Sequence, residues 1–175
     1  IMADPLVMYW NREIFKENRI TEPPKYWDEF YNLATAISKK DGALNITKSA
    51  TALGEFSNVD NAKEIISNLL MQAGTPVVSP SGDSYRSVLS NVFDKPIMPA
   101  EAAVNFYTEF SNPVKPFYSW NKSMPKSGNY FLGGDLAIYF GLASELPGLQ
   151  NKNPNLNFDV APVPTSREGG VYVSY

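Results

Sequence analysis

None of the 175 residues is a histidine or a cysteine, so the commonest general base, the commonest metal ligand and the thiol nucleophile are all missing. Any acid–base work would fall to carboxylates. Asp28 and Glu29 are adjacent where a helix is expected to open, and neighbouring positions on a helix do not face each other. The pair suits the positive end of a helix dipole better than catalysis. Asp94, Glu101, Asp159 and Glu168 lack the spacing of a calcium loop. Gly133-Gly134 lacks the Lys and Ser/Thr of a phosphate loop and reads as a turn. These residues point to no catalytic set, no metal and no cofactor. The aromatic inventory is richer, with three Trp, ten Tyr and ten Phe. Aromatic faces offer apolar area with a polar rim, which suits sugars, although most of these rings must serve a core.

Composition narrows the partners. With 15 basic against 18 acidic residues the net charge is -3, and nucleic acid calls for a basic stripe. The apolar share of 43% and charged share of 19% are ordinary for a globular domain. A chain of this length fills one domain, which should bury roughly 70% of its unfolded-state surface. The longest apolar runs, Pro5 to Trp10 and Leu136 to Leu142, are too short to cross a bilayer. The first residues lack the charged start and apolar stretch of a signal peptide.

The elements follow from periodicity and punctuation. Leu6–Trp10 reads as a strand ended by Asn11, followed by a short amphipathic turn. Trp27, Phe30, Tyr31, Ala34 and Ile37 have helical spacing over 26–38. Glu29 can accept from the Tyr26 backbone, but Tyr26 supplies no side-chain acceptor in return, leaving the capping box half built. Asp41-Gly42 predicts a turn and Ala43–Thr47 a short strand. A second helix is expected over 59–73, with Asn58 as N-cap, Ile65 and Leu69 on its inner face, and Gly74 in the left-handed position after it. Residues 79–94 read as a loop or hairpin, the second half a possible short helix. Pro99 starts a third helix with Ala102, Ala103, Phe106 and Phe110 inward. Residues 112–128 read as loop. Leu136–Phe140 is an apolar run expected of a strand covered on both faces. Phe158–Ala161 is a further strand, and Val171–Tyr175 begins another. The alternation implies an α/β fold with a mixed sheet flanked by helices.

The run Asp4 to Phe15, followed by Pro23-Pro24 and Tyr26-Trp27-Asp28-Glu29-Phe30, resembles the extracellular solute-binding proteins of ABC importers, specifically their carbohydrate-binding, maltose-binding-protein-like group. Three further pieces in the same order are similar to that family. They are Asn61 to Gly74, Phe131 to Phe140, and Asp159 to Pro164 followed by Gly169-Gly170. The resemblance implies a periplasmic-binding-protein type II-like fold, with two α/β lobes joined by crossover strands and ligand held between them. On that map residues 1–175 are the second lobe, and the first lobe and the C-terminal helices lie outside this chain.

The resemblance also implies where ligand contacts lie. The loop after the first short strand maps to about 49–58, with Thr51, Glu55 and Asn58 as polar candidates. Glu55 is favoured, because a carboxylate accepts paired hydrogen bonds from vicinal hydroxyls. Asn58 is weighed mainly as a helix cap. The turn after Leu136–Phe140 maps to 141–145. There Gly141 would let a ligand approach the backbone and Ser144 would donate or accept. Many sugar-binding relatives place a Trp at that turn and this chain does not. Trp120 is a replacement platform or, equally, a loop anchor.

The reading is a solute-binding protein that captures a carbohydrate-like solute in an interlobe cleft and hands it to an ABC importer permease, without enzymatic activity. It would work outside the cytoplasm, lipid-anchored through segments upstream. A lone lobe would expose apolar cleft surface and self-associate. Rival readings are a glycan-active enzyme domain, which needs two acids roughly 5 to 10 Å apart across a cleft, and a ligand-sensing receptor module of the same fold.

Overall fold

A computed structural model describes residues 3–75, 77–88 and 99–167. In chain order the elements begin with β1 (Leu6–Asn11), α1 (Arg12–Glu17), α2 (Glu29–Ile37), β2 (Lys39–Lys40), β3 (Ile46–Thr51) and α3 (Ala62–Gln72). They continue with β4 (Val78–Ser81), β5 (Ser84–Ser87), α4 (Pro99–Glu109), α5 (Ser127–Leu132) and β6 (Leu136–Leu142). A single 3-10 turn (Ala143–Glu145), α6 (Leu146–Lys152) and β7 (Phe158–Pro162) complete the described chain. Five strands form one sheet in the order β2-β3-β6-β1-β7, and β4 and β5 pair as a separate hairpin. Only β3 and β6 run parallel among these neighbours; the other pairings are antiparallel, so the sheet is mixed.

The apolar run at 136–140 takes the middle of this sheet because both its faces are covered, and every residue from Leu136 to Gly141 is buried. On one face Phe140 meets Trp27 and Phe30, with ring centroids 5.4 and 5.9 Å away, and Phe106 of α4 closes over Trp27 at 5.8 Å. On the other face Tyr139 stacks on Tyr9, its register partner in β1, and on Phe131 of α5. Phe30, Ile65, Leu69 and Ile138 are all buried, as their spacing implies.

Local chemistry explains most boundaries. Asn11 ends β1 and caps α1, its Oδ1 accepting from the amides of Glu13 and Ile14 at 3.0 and 3.1 Å. Glu29 Oε2 accepts from the amides of Lys25 and Tyr26, the half-built cap expected from sequence. Gly74 sits at φ 78 after α3, and the Thr75 amide reaches back to the Leu70 carbonyl.

Several expectations are corrected. The strand placed at 43–47 runs instead from Ile46 to Thr51, because Asp41 Oδ1 takes the amides of Ala43 and Asn45 and folds that stretch into a turn. The second helix begins at Ala62 rather than 59, with Asn61 and not Asn58 at its start. On α4 the buried residues are Ala103 and Tyr107, while Ala102 is exposed. α1 is a short helix where a turn was expected, α5 begins inside the expected loop 112–128, and α6 is a short helix on residues the sequence left without an element. Residues 78–87 form the β4–β5 hairpin. The expected helix after it, Asp94, Glu168, Gly169-Gly170 and the strand at 171–175 lie outside the described residues.

The last described segment is bound closely to the lobe. Thr165 exchanges backbone hydrogen bonds with Lys25 and Trp27, and the Ser166 amide donates to Gln72 Oε1. Arg167 donates from Nε to Asp28 Oδ2 at 2.7 Å and lies over the Tyr26 ring at 4.2 Å.

Candidate functional site

Strand direction decides which edge of the sheet gathers the loops. Because β3 and β6 are parallel neighbours, the chain leaves both at the same edge. β1 is antiparallel to β6 and enters there, Leu6 opposite Leu142, and β7 leaves there, Pro162 opposite Val7. This edge therefore collects Ala3–Pro5, the loop 52–61 and the turn 143–145. In open α/β sheets ligands sit outside the carboxyl ends of strands, so this is the edge to inspect.

Two of the six candidate residues present usable groups here. Glu55 is half-buried, its carbonyl fixed by the Tyr107 hydroxyl at 2.6 Å, and its carboxylate makes no hydrogen bond or ion pair with the described residues. Before it, Gly54 has φ 99, and a Cβ there would fall 2.7 Å from the Ser111 amide nitrogen and Cβ, so only glycine lets the loop pass α4. Ser144 is exposed; its amide and hydroxyl donate to the two Asp4 carboxylate oxygens at 2.9 and 2.6 Å. The hydroxyl keeps lone pairs for a ligand donor.

The other four are committed inside the lobe. Thr51 is fully buried in β3, and its hydroxyl has no hydrogen-bond partner among the described residues. Asn58 is buried and neither caps a helix nor faces solvent: its Nδ2 donates to the carbonyls of Asn121 and Met124. Its Oδ1 accepts from Trp120 Nε1 at 3.2 Å. Trp120 is completely enclosed, its ring against Tyr130 at 5.6 Å and its amide on the Phe110 carbonyl, so it anchors its loop and offers no platform. At Gly141 the room for a Cβ is taken by the chain itself, with Tyr139, Tyr9 and Glu145 atoms at 2.6, 3.0 and 3.1 Å. The glycine makes room for the tyrosine stack rather than for a ligand.

Two features had escaped the sequence reading. Phe56 stands beside Glu55 with 66% of its surface exposed, a large ring in a Gly/Ser loop with nothing packed over it among the described residues. An aromatic next to an acid in a polar loop was the available signal. The second is Glu145, whose Oε1 accepts from Asn61 Nδ2 at 2.9 Å and the Leu142 amide at 2.8 Å. Its Oε2 accepts from the Tyr139 hydroxyl at 2.6 Å. Burial, then the Glu145 hydrogen bond, pushes the Tyr139 phenol far above its ordinary range. Tyr9, which donates to the Leu142 carbonyl, is pushed up to about 12 by burial and the nearby Glu145 and Asp4. Both stay neutral donors at physiological pH.

Two hollows flank this edge. One of about 330 Å³ is polar, lined by Asp60, Asn61, Tyr139, Glu145 and Lys152 among others. The other, about 350 Å³, lies between α2, α3 and α4 with Trp27, Leu69 and Phe106 as its floor and Asp28 and Arg167 on its rim. Among the described residues no group of three or more acids is arranged to hold a metal ion. Asp28 and Glu29 share Arg167 rather than a substrate-sized gap.

The sequence profile of the bacterial extracellular solute-binding proteins matches residues 1–175. The diacetylchitobiose binding protein DasA of Streptomyces coelicolor is 26% identical over 172 residues, covering 95% of this chain and 37% of that protein. The maltose/maltodextrin-binding domain MalE from Bdellovibrio bacteriovorus, bound to maltotriose, matches in structure with a TM-score of 0.71 at 14% identity. That match covers 96% of this chain and 39% of that one. UgpB from Mycobacterium tuberculosis, in complex with glycerophosphocholine, matches at 0.66 and 18% identity, covering 94% and 37%. The structural matches carry the fold, which is that of type II periplasmic binding proteins, with a mixed sheet flanked by helices. The chain spans between 37% and 39% of the length of these relatives.

Proposed function

The chain belongs to the bacterial extracellular solute-binding protein family, and from that membership we propose that it is the second lobe of a two-lobed protein that captures a polyhydroxylated, carbohydrate-like solute. Capture takes place between this lobe and its partner lobe, closure buries the solute, and the loaded protein delivers it to an ABC importer permease. The work is extracytoplasmic, with the whole protein lipid-anchored, and it involves binding and release without bond cleavage.

The observation that carries this reading is the loop at the carboxyl end of β3, where the Glu55 carboxylate has no partner among the described residues and the Phe56 ring next to it is exposed. A free carboxylate accepts from vicinal hydroxyls, and an open ring receives the apolar face of a pyranose. Ser144, held by Asp4 on the neighbouring turn, adds a fixed acceptor. Phe56 thus takes the platform role that neither Trp120 nor residue 144 can fill. The relatives that bind diacetylchitobiose, maltotriose and glycerophosphocholine support a solute rich in hydroxyls.

The test is calorimetric titration of the whole two-lobed protein with diacetylchitobiose, maltotriose and glycerophosphocholine. At least one should bind saturably. Glu55→Ala and Phe56→Ala should each weaken that binding more than about tenfold, roughly 1.4 kcal/mol, with the melting temperature of the unliganded protein held. Unchanged affinity in both variants would remove the site from this loop.

A further inference from the structure

We infer that Glu145 is a positioning residue that locks the two ligand-side loops of this lobe, one from β3 and one from β6, into a single preset surface; this rests on the solute-binding reading above. One carboxylate makes three bonds to three different places. It holds the Leu142 amide at the end of β6, the Tyr139 hydroxyl in the body of β6, and the Asn61 side chain at the start of α3. Three hydrogen bonds on one side chain fix its position more firmly than the single contact of an ordinary turn.

The surroundings are shaped to it. Asn61 adopts φ 58, a left-handed conformation that asparagine takes more readily than other side-chain-bearing residues and that aims its amide at Glu145. Its Nδ2 lies 2.9 Å from Glu145 Oε1, with the Phe140 carbonyl and Tyr139 hydroxyl at 3.4 Å. Gly141 leaves open the volume that Glu145 and Tyr139 occupy. From the other side Tyr9 holds the Leu142 carbonyl, Pro5 accepts the Ala143 amide, and Asp4 takes Ser144. The Leu142 bond alone would make Glu145 a local cap on the 3-10 turn. The bond to Tyr139 ties it to the body of β6, and the bond to Asn61 extends it to the loop that carries Glu55 and Phe56. A surface fixed before the ligand arrives spares the ordering cost of binding.

The experiment is amide hydrogen exchange on the whole protein, followed by affinity for maltotriose and diacetylchitobiose. Glu145→Ala should speed exchange at least about tenfold in two separate segments, 58–63 and 141–146, while β1 stays protected. Affinity should fall more than about tenfold. Glu145→Gln, which keeps an oxygen where Oε1 accepts from Leu142 and Asn61, should stay within about threefold of wild type. Asn61→Gly removes the amide while tolerating the positive φ, and should loosen 141–146 although the substitution lies in the other loop. A rise confined to 141–146 in Glu145→Ala, or spread evenly over the sheet, overturns the inference. So does wild-type affinity in Glu145→Ala, a Gln variant as impaired as the Ala variant, or an Asn61→Gly protein with 141–146 unchanged. If neither sugar binds wild type, the solute reading fails for these sugars, while the exchange pattern still decides the role of Glu145. If Glu145→Ala does not fold, Asn61→Gly decides it alone.

Discussion

Trp120 is held by a bond to Asn58, 62 positions away in sequence, and that makes it a stability residue. Trp120→Ala should destabilise the lobe by about 3–5 kcal/mol, read as a lower denaturant midpoint, while the folded fraction keeps its ligand affinity. A loss of affinity at full stability would return Trp120 to the ligand surface. Its flanking Ser119 and Asn121 had suggested an open setting. The reason it is closed is non-local: Asn58 satisfies the indole N–H, and a lone sequence does not reveal a partner that distant. Gly141 tells the same story, since the residues that need its missing side chain, Tyr9 and Tyr139, meet only once the strands pair in register. That the Glu55 carboxylate stays without a partner among the described residues could be anticipated, because a carboxylate in a loop needs no distant partner to remain available.

At the level of elements, the cap on α1 is a clean test of local chemistry. Asn11→Ala removes the acceptor for two amides and should cost about 1 kcal/mol in chemical denaturation, with β1 otherwise intact. The turn at 41–45 is pH-dependent. The Asn45 side chain, then the Asn45 and Ala43 amides, hold the Asp41 carboxyl below its ordinary value. Its contribution is thus fully present above the ordinary carboxylate pKa and is lost as pH falls through the lowered one. Chemical-shift titration of the Ala43 and Asn45 amides should report a midpoint below that of an unstructured aspartate. The same turn explains why the strand was misplaced: the strand-forming residues begin only at Ile46, and the Asp41 side chain takes the Ala43 and Asn45 amides before them. The long apolar strands were readable because burial on both faces demands continuous apolar residues. α1, α5 and α6, at six or seven residues, are too short for a periodic signal, and packing against the sheet decides them.

For the whole molecule, the proposed two-lobed reading, with a cleft shared between lobes, predicts that neither lobe alone holds the affinity. If the whole protein binds near 1 µM, about -8 kcal/mol, half of that free energy corresponds to a dissociation constant of about 1 mM. Residues 1–175 expressed alone should therefore show no saturation with micromolar maltotriose or diacetylchitobiose where the whole protein saturates. Tight binding by the isolated lobe would place the entire site within it.

The ties that fasten Thr165, Ser166 and Arg167 to α2 and α3 also carry a mechanical meaning. A clamped segment moves with whatever grips it, and these contacts clamp the chain after β7 as far as Arg167. The opposite strand is clamped likewise, through Asp4 on Ser144 and Pro5 on Ala143. In the two-lobed arrangement proposed above, a rigid-body swing of this unit would carry residues 4–5 and 163–167 with it as parts of one body. Loosening Arg167 would uncouple the segment 163–167 from that body without touching Glu55, Phe56 or Ser144.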